Sequence, residues 1–343
     1  MIPVHPVFLS AARLETLRRR IARQAAPTYP AYLQLQAAAG ALLERQPHVP
    51  ETWYVPGYYR DAQGHITLKL ALEEDANAAY QLALCWQMTG EERYAAAAAR
   101  LARAWAVGPK VMRTEDDSRL CFSYHFPALV FAEALLRGSP AWSAADAAAF
   151  GAFLRERALA MNTMERENNW GNWGLVLVLA IAASTGDAAL LAQGAARWAE
   201  FLDRQVAPDG HLPLEVVRNN GVGEHGIWYT HFSLMPQTLA GEILRVAGQD
   251  LFELVSPQGR TLRMAFERSA PWAHDPASFP YFKDPDKSKL SEPDYISYYE
   301  LLNARWPNPH AAAMLAAQRP LSATHSAPCL TFTHGDLLFD QED

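Results

Sequence analysis

One short segment collects amide and indole side chains that suit the binding of an acidic sugar. It runs from Glu167 to Gly174 and holds three asparagines and two tryptophans. Asparagine is a poor helix-interior residue but a good cap and a good hydrogen-bond donor. One interpretation is an asparagine N-cap followed by two core tryptophans. The clustering favours a second interpretation, in which amides contact a carboxylate and indole faces stack on sugar rings.

A second segment, from Glu215 to His231, adds ionisable side chains in a glycine-rich stretch. It supplies Arg218, His225 and Tyr229 in addition to His231. A lone histidine is usually structural, but several ionisable groups among glycines favour a functional site. The sequence therefore predicts binding and proton transfer in this segment. We expect a helix to follow, from about residue 234 to 246.

Two other segments carry weaker signals. The run from Arg113 to Arg119 is acidic in its middle and suits a solvated loop or a helix start. Tyr124 and His125, just after it, suggest a cleft wall. Trp53 to Arg60 places aromatic side chains, including Tyr58, beside an arginine, which suits either a glycan subsite or a packed loop.

The sequence contains no pattern typical of a metal or nucleotide site. His225 and His231 lie six residues apart, without a zinc-protease or EF-hand pattern. Phosphate-loop, dinucleotide and GxSxG fingerprints do not occur. The three cysteines, Cys85, Cys121 and Cys329, match no zinc motif and suit buried small side chains. We expect neither a metal nor a cofactor.

Net charge and hydropathy limit the classes of binding partner that the sequence favours. The net charge of −7 argues weakly against nucleic acid, whereas a local basic cleft could still bind an acidic glycan. No apolar stretch has the length of a membrane span, so we expect no membrane partner. The N-terminus lacks the charged-then-apolar order of a secretory signal. Two alternatives stay open: a cytoplasmic protein, or one whose signal has been removed. The oligomeric state is not predictable.

The periodicity of apolar residues is helical along most of the chain. Tyr94, Ala98, Leu101 and Trp105 form one such stripe. Glycines in Thr89 to Glu91, Thr185 to Asp187 and Ala247 to Asp250 suit helix ends. Ser143, with Asp146 three residues on, suits a capping box. Strand-like segments are few: Thr52 to Val55 and Cys329 to Phe332. We expect one all-α domain over residues 1–343, an incomplete α/α toroid of helical hairpins whose loops form a cleft.

These features resemble the alginate-lyase superfamily of polysaccharide lyases, roughly from His5 to Pro307. The resemblance is carried by VHPVFLSAARLETLRRRI, DANAAYQLALCWQMTGEERYAAAAARLARAW, ENNWGNWG and LPLEVVRNNGVGEHGIWYTHFSLMPQTLAGEI. It implies an α/α toroid, cleavage of uronate-containing polysaccharides, a periplasmic or secreted location, and a site that combines Asn or His with Arg and Tyr. Arg218 lies eleven residues before Tyr229, farther than the family's short Arg-to-Tyr spacing. A second alignment places His225 and Phe232 at those two positions.

The resemblance implies roles for particular residues. A uronate C5 proton is removable only when the adjacent carboxylate is neutralised. We expect Asn169 and Arg218 to neutralise it, Tyr229 to act as base and acid, and His225 to be the alternative base. Further candidates share a predicted place in the substrate cleft: Asn168, Trp170, Trp173, Tyr124, His125, Arg119, His231 and Tyr58.

Two other functions stay open at this point. A glycoside hydrolase on the same fold would use two carboxylates several ångströms apart. Its candidates are Asp75, Asp116, Asp117, Glu167, Glu215 and Glu224, and nothing in their spacing selects a pair. A non-catalytic glycan-binding protein is the third possibility. Elimination creates an unsaturated uronate that absorbs ultraviolet light, which distinguishes a lyase from both.

Overall fold

The computed structural model of the protein describes residues 5–218, 225–286, 295–321, 325 and 329–337, and these residues are predominantly helical. The helices are α1 (Ala11–Ala22), α2 (Thr28–Ala41), α3 (Ala62–Thr89), α4 (Glu92–Val107), α5 (Ser118–His125), α6 (Pro127–Leu136), α7 (Ala144–Phe153), α8 (Asn169–Thr185), α9 (Ala188–Gln205), α10 (Gly226–Val246), α11 (Leu262–His274), α12 (Tyr299–Arg305), α13 (Pro309–Gln318) and α14 (Leu330–His334). A π-helical turn (Leu154–Ala158) and 3-10 turns (Leu159–Met161, Pro276–Ser278) complete the set.

The helix boundaries follow the predicted capping chemistry. Gly90 and Gly186 end α3 and α8 with φ of 72° and 71°, a left-handed conformation that only glycine adopts without strain. Ser143 and Asp146 form the predicted capping box of α7. The prediction was wrong for the start of α10, which begins at Gly226 rather than near residue 234. Tyr229 and His231, which were predicted to precede the helix, therefore lie within it.

Helical hairpins form two layers. α3, α6, α8 and α10 pack side by side, and α4 and α9 cover them from outside. All residues of α6 are buried, whereas α4 and α9 bury one face each. This difference explains why the stripe pattern is clear in α4 and α9 but not in the inner helices. One apolar core extends from Val7 to Phe332. The single-domain interpretation stays a prediction.

Strand structure within the described residues is a single parallel pair. β1 (Thr52–Trp53) pairs with β2 (Val111–Met112), so the predicted strand over Thr52 to Val55 is confirmed for its first two residues. The prediction of a strand over Cys329 to Phe332 was wrong, because Leu330 to Phe332 lie in α14. There α14 packs on α2 and α12, and this tertiary contact overrides the strand preference of Thr and Phe.

Two glycines fix the start of α8 against the preceding loop. A Cβ at Gly171 would overlap the carbonyl oxygen of Arg166, and one at Gly174 would overlap the backbone nitrogen of Met164. The Thr163 hydroxyl donates a hydrogen bond to the Trp170 carbonyl, 2.5 Å away. Close backbone approach thus holds the asparagine-rich first turn of α8 in one orientation.

Membrane-spanning helices and clusters of metal ligands are both absent from the described residues. No helix there has the length and apolar character needed to cross a membrane. The same residues contain no group of three or more His, Cys, Asp or Glu side chains arranged to hold a metal ion.

Candidate active site

A cleft of about 690 Å³ lies where the N-terminal ends of α3, α8 and α10 come together. Unpaired backbone N–H groups and the helix dipole favour negative charge at such ends. The cleft is lined by Gly57, Tyr58, Tyr59, Arg60, His65, Ile66, Lys69, Asp117, Leu120, Tyr124, Asn169, Trp170, Arg218, His225, Trp228, Tyr229, Phe232, Tyr295 and His325. The setting suits an anionic ligand with an extended, partly apolar surface.

All four side chains predicted to do the chemistry line this cleft: Asn169, Arg218, His225 and Tyr229. Of the predicted substrate-binding residues, Trp170, Tyr124 and Tyr58 line it as well. The segments they come from are up to 171 residues apart in sequence, between Tyr58 and Tyr229. The fold therefore gathers most of the predicted site.

Tyr229 lies between an arginine and a second tyrosine. The guanidinium carbon of Arg218 is 4.6 Å from the centroid of the Tyr229 ring, and Tyr59 Oη is 2.6 Å from Tyr229 Oη. Burial and the Tyr59 hydrogen bond raise the pKa of Tyr229, while Arg218 opposes the rise. The phenol is consequently neutral at ordinary pH. It can donate a proton as it stands, and it needs Arg218 to accept one.

Asn169 is held by a buried carboxylate. Its backbone N–H donates to Glu215 Oε1 at 2.8 Å, and its Nδ2 lies 3.1 and 2.9 Å from Oε1 and Oε2. Burial is the main cause that raises the pKa of Glu215 to about 7, against the hydrogen bonds from Asn169 and the charge of Arg218. Asn169 and Arg218 are thereby linked through one acidic side chain.

Aromatic rings form the floor and one side of the cleft. Trp228 stacks on Phe232 with ring centroids 4.9 Å apart, and Tyr295 lies edge-on to Trp228 at 5.0 Å. Tyr124 contacts Phe232 at 5.8 Å. Such faces suit the apolar side of a pyranose ring. Phe232 thus serves as packing in this floor, not as a proton-transfer group.

The remaining cations of the cleft are paired with acids. The Arg60 guanidinium contacts Asp116, which also accepts a hydrogen bond from Tyr54 at 2.5 Å. Lys69 contacts Glu73. These two pairs flank the side of the cleft formed by α3 and the loop before it. In each pair the acid balances the charge of the cation.

His65 is a cleft residue that was missed by sequence analysis. Its Nδ1 lies 3.1 Å from Asp117 Oδ2 and 3.0 Å from the Pro56 carbonyl oxygen. Its Nε2 lies 3.8 Å from Cys121 Sγ. A single histidine near the start of a helix has no distinctive spacing, so no sequence signal marked it. Burial raises the pKa of the Cys121 thiol strongly, which excludes a thiolate nucleophile.

Two predicted binding residues, Asn168 and Arg119, are placed outside the cleft lining by clear structural roles. Asn168 is the N-cap of α8, where its side chain accepts a hydrogen bond from the Trp170 N–H at 3.2 Å. Arg119 pairs with Glu165 at 2.9 Å. The structural interpretation is the right one for both residues, since capping and ion pairing use their polar groups.

The other three lie beneath the cleft rather than on it. His231 is fully buried, and its Nδ1 lies 2.8 Å from Tyr298 Oη. Burial lowers the pKa of His231 to about 3, so it stays neutral. Trp173 supports Tyr124 from below, with ring centroids 5.7 Å apart. His125 Nε2 lies 3.3 Å from Glu73. None of the three reaches the cleft lining.

Among the described residues, Asp117 is the single carboxylate in the cleft lining. The other hydrolase candidates lie elsewhere: Asp75 pairs with Arg45, Glu167 pairs with Arg197, and Glu215 is buried behind Asn169. Glu224, with the preceding Asn219 to Gly223, lies outside the described residues. A pair of opposed carboxylates is not present in the described part of the cleft.

Helical hairpins in two layers around a cleft define the α/α-toroid class of folds. An alginate lyase from Bacteroides ovatus superposes with a TM-score of 0.73 at 19% identity, covering 98% of this chain and 99% of that one. Alginate lyase A1-III from Sphingomonas species A1 gives 0.73 at 17% identity and 94% of each chain. The prediction of the fold is confirmed.

Sequence comparison identifies the family. The alginate lyase family model matches residues 19–279, and the chain belongs to that family. A polysaccharide lyase from Stenotrophomonas maltophilia is 27% identical over 172 residues, which cover 48% of this chain and 50% of that protein. The chain thus matches half the length of this relative. The predicted membership of the alginate-lyase superfamily is confirmed.

Proposed function

We propose that this protein is a polysaccharide lyase that cleaves a uronate-containing polysaccharide by β-elimination. The observation that carries the proposal is the single cleft lined by Tyr229, Arg218 and Asn169. These are the base or acid and the two carboxylate neutralisers that the reaction needs. Tetrasaccharide complexes of the Sphingomonas enzyme's variants show that this fold can hold a sugar chain of that length in that protein.

The reaction begins with neutralisation of the substrate carboxylate. Arg218 and an N–H of Asn169 bind the carboxylate oxygens, where negative charge grows as the C5–H bond breaks. The base takes the C5 proton, the C4–C5 double bond forms, and the C4–O4 bond breaks. The departing O4 receives a proton. All electrons stay within the sugar, so no oxidant or reductant is needed.

Tyr229 suits both proton transfers. As base it must first lose its own proton to solvent, and Arg218 lies against its ring to stabilise the phenolate. The phenolate then takes the C5 proton, and the phenol so formed gives that proton to O4. Tyr59 must give up its hydrogen bond to Tyr229 Oη before a sugar can take that place. His225, the N-cap residue of α10, is the alternative base. Asn169 and Arg218 neutralise the substrate carboxylate in the same way whichever residue is the base.

A panel of polyuronates tests the proposal. Alginate, glucuronan and other polyuronates are incubated with the protein, and ultraviolet absorbance and product size are followed. We expect an absorbance rise with at least one acidic polymer and none with a neutral glucan. No rise with any polyuronate would end the lyase proposal. New reducing ends without a rise would favour a hydrolase, and binding without product a glycan-binding protein.

Variants test the residue roles separately. We expect Tyr229→Phe to lower kcat roughly 10³-fold, since general acid–base groups contribute about 10²–10⁴. Tyr281→Phe, at a tyrosine outside the cleft that contacts His211, is the matched control and should keep the full rate. His225→Ala decides between the two bases. If Tyr229→Phe and His225→Ala both keep normal rates, these assignments are wrong.

A further inference from the structure

Glu215 is a buried acid whose contacts are directed at a residue of the cleft. Its side chain is 2% exposed, and Asn169 provides its hydrogen bonds from both the backbone N–H and Nδ2. Asn169 itself is fully buried but lines the cleft. Glu215 does not line the cleft. It can therefore act on a ligand through Asn169.

The geometry of this contact leaves one N–H of the Asn169 side-chain amide available. Both carboxylate oxygens lie within 3.1 Å of Asn169 Nδ2. Two oxygens of one carboxylate subtend a much smaller angle at nitrogen than the two N–H bonds of an amide do. One N–H therefore serves both oxygens. The second N–H of Asn169 has its direction fixed by this contact and remains available for another acceptor.

Among the described residues, few charged groups act on Glu215. Arg218 is the charged group that acts on it, from its own loop. The same guanidinium faces Tyr229 on α10, and Tyr59 also acts on it. Asn169, on α8, is neutral. A uronate carboxylate bound by Arg218 and Asn169 would be a second anion, in addition to Glu215, beside the one guanidinium of Arg218. Two anions in a buried place are costly unless one of them is neutralised.

We propose that Glu215 is a positioning residue that aligns the Asn169 amide for the substrate carboxylate and takes up a proton when that carboxylate binds. The inference rests on the proposed lyase function and explains how the site accommodates the charge of the substrate. Burial already raises the pKa of Glu215 to about 7 in the free protein. A nearby anion raises it further. Neutral Glu215 still accepts from Asn169 through its carbonyl oxygen, so alignment survives protonation.

Proton uptake on binding is the direct test. Calorimetric titrations at pH 7, in two buffers of different ionisation enthalpy, use the Tyr229→Phe variant to prevent turnover. The ligand is the polyuronate that wild type cleaves best, or polymannuronate if none is cleaved. We expect uptake of a substantial fraction of one proton, because about half of the Glu215 carboxyls are ionised before binding near pH 7. Tyr229→Phe with Glu215→Gln should bind without that uptake. Equal uptake by both variants, or none by the first, would overturn the proposal.

Steady-state kinetics separate positioning from mere structure. We expect Glu215→Ala to lower kcat by about tenfold to a hundredfold, since a misdirected transition-state donor costs up to roughly 10²–10³. Glu215→Gln, which keeps an acceptor for Asn169, should restore part of that loss. In wild type KM should rise above pH 7 as Glu215 ionises, and in Glu215→Gln this rise should disappear. A folded Glu215→Ala variant with wild-type kcat would contradict the inference.

Glu167→Gln is the matched control. Glu167 immediately precedes the cap of α8 and pairs with Arg197 at the surface, without contact to Asn169 in the described structure. We expect it to keep the wild-type KM profile. If Glu215→Ala fails to fold, the Gln variant and the calorimetry still decide the proposal. An inactive wild type would refute the proposed function, whereas an active wild type with indifferent Glu215 variants would refute this inference alone.

Discussion

At the scale of the residue, the same amino acid has different roles at adjacent positions. Asn168 caps α8, whereas Asn169, one residue on, reaches the cleft and Glu215. His225 lines the cleft, whereas His231 is buried beneath it. Residue type and local spacing predicted the cluster, and the structure places Asn169, Arg218, His225 and Tyr229 along one cleft. They could not separate these neighbours, because the direction of a side chain depends on where the helix begins and what packs against it.

Tyr59 helps to raise the pKa of Tyr229, and its removal should be visible in the pH dependence. Tyr59→Phe deletes the hydrogen bond that helps to raise the pKa of Tyr229. We expect the ascending limb of kcat/KM to move to lower pH, since the base then ionises more easily. The profile of Tyr58→Phe, whose ring lies edge-on to Tyr59, is the control. An unmoved limb in Tyr59→Phe would mean that Tyr229 is not the base.

Glu215 should also make folding stability depend on pH. Its pKa is about 7 in the folded protein against an ordinary 4.5. Between these values the folded protein holds a proton that the unfolded chain has released. The free energy of unfolding therefore falls as pH rises through this window, by about 3 kcal/mol at 1.36 kcal/mol per unit.

Glu215→Gln should abolish this fall. Urea unfolding at pH 5 and pH 8 measures it, and we expect the variant to gain on wild type by up to about 3 kcal/mol at the higher pH. The same difference between variant and wild type at both pH values would show that the carboxyl titrates normally.

At the scale of the element, close backbone contacts position the first turn of α8. Gly171 and Gly174 face the loop that precedes the helix, at distances that exclude a Cβ. The hairpins themselves were predictable, because glycine ends and capping residues are local signals. The start of α10 at Gly226 was not, since Gly226 is buried against the Val216 carbonyl and Phe279, which are contacts from outside the helix.

Gly174→Ala should destabilise the protein although alanine is the better helix former. Its Cβ would meet backbone atoms of Thr163 and Met164, which cannot yield as a flexible side chain would. We expect a loss of roughly 1–3 kcal/mol and lower activity through a displaced Asn169. Gly40→Ala in α2, where a Cβ meets nothing within 4 Å, should be neutral or stabilising by up to about 1 kcal/mol. Thermal unfolding compares the two, and equal stabilities would refute the packing argument.

At the scale of the whole molecule, the C-terminal segment packs against both the first helices and the inner layer. The Arg13 guanidinium contacts Asp336 and donates to the Thr333 carbonyl at 2.7 Å. His334 Nε2 lies 3.3 Å from Glu242 in α10. Burial alone would raise the pKa of Glu242, but hydrogen bonds from Arg245 and His334 outweigh it and lower the pKa to about 2.

Glu242→Gln should therefore weaken this connection in a pH-dependent way. A lowered carboxyl pKa contributes stability above its ordinary value of 4.5, and the contribution is lost as pH falls toward 2. We expect a loss of about 3 kcal/mol at pH 7, in the range for breaking a buried pair, and a smaller loss at pH 3. Chemical unfolding at both pH values checks this. A loss that is equal at pH 3 would contradict the ionic role of Glu242.

The sequence by itself determined the helical hairpins, their caps, the family and the two segments that supply Asn169, Arg218 and Tyr229. Those features depend on local periodicity and on residue types close together in the chain. The tertiary structure alone decided that Tyr59 and His65 join the cleft, that Glu215 holds Asn169, and that Leu330 to Phe332 form a helix. These features depend on contacts between residues far apart in the sequence, such as the 46 positions between Asn169 and Glu215 and the 170 between Tyr59 and Tyr229. Such contacts follow from packing rather than from spacing in the sequence.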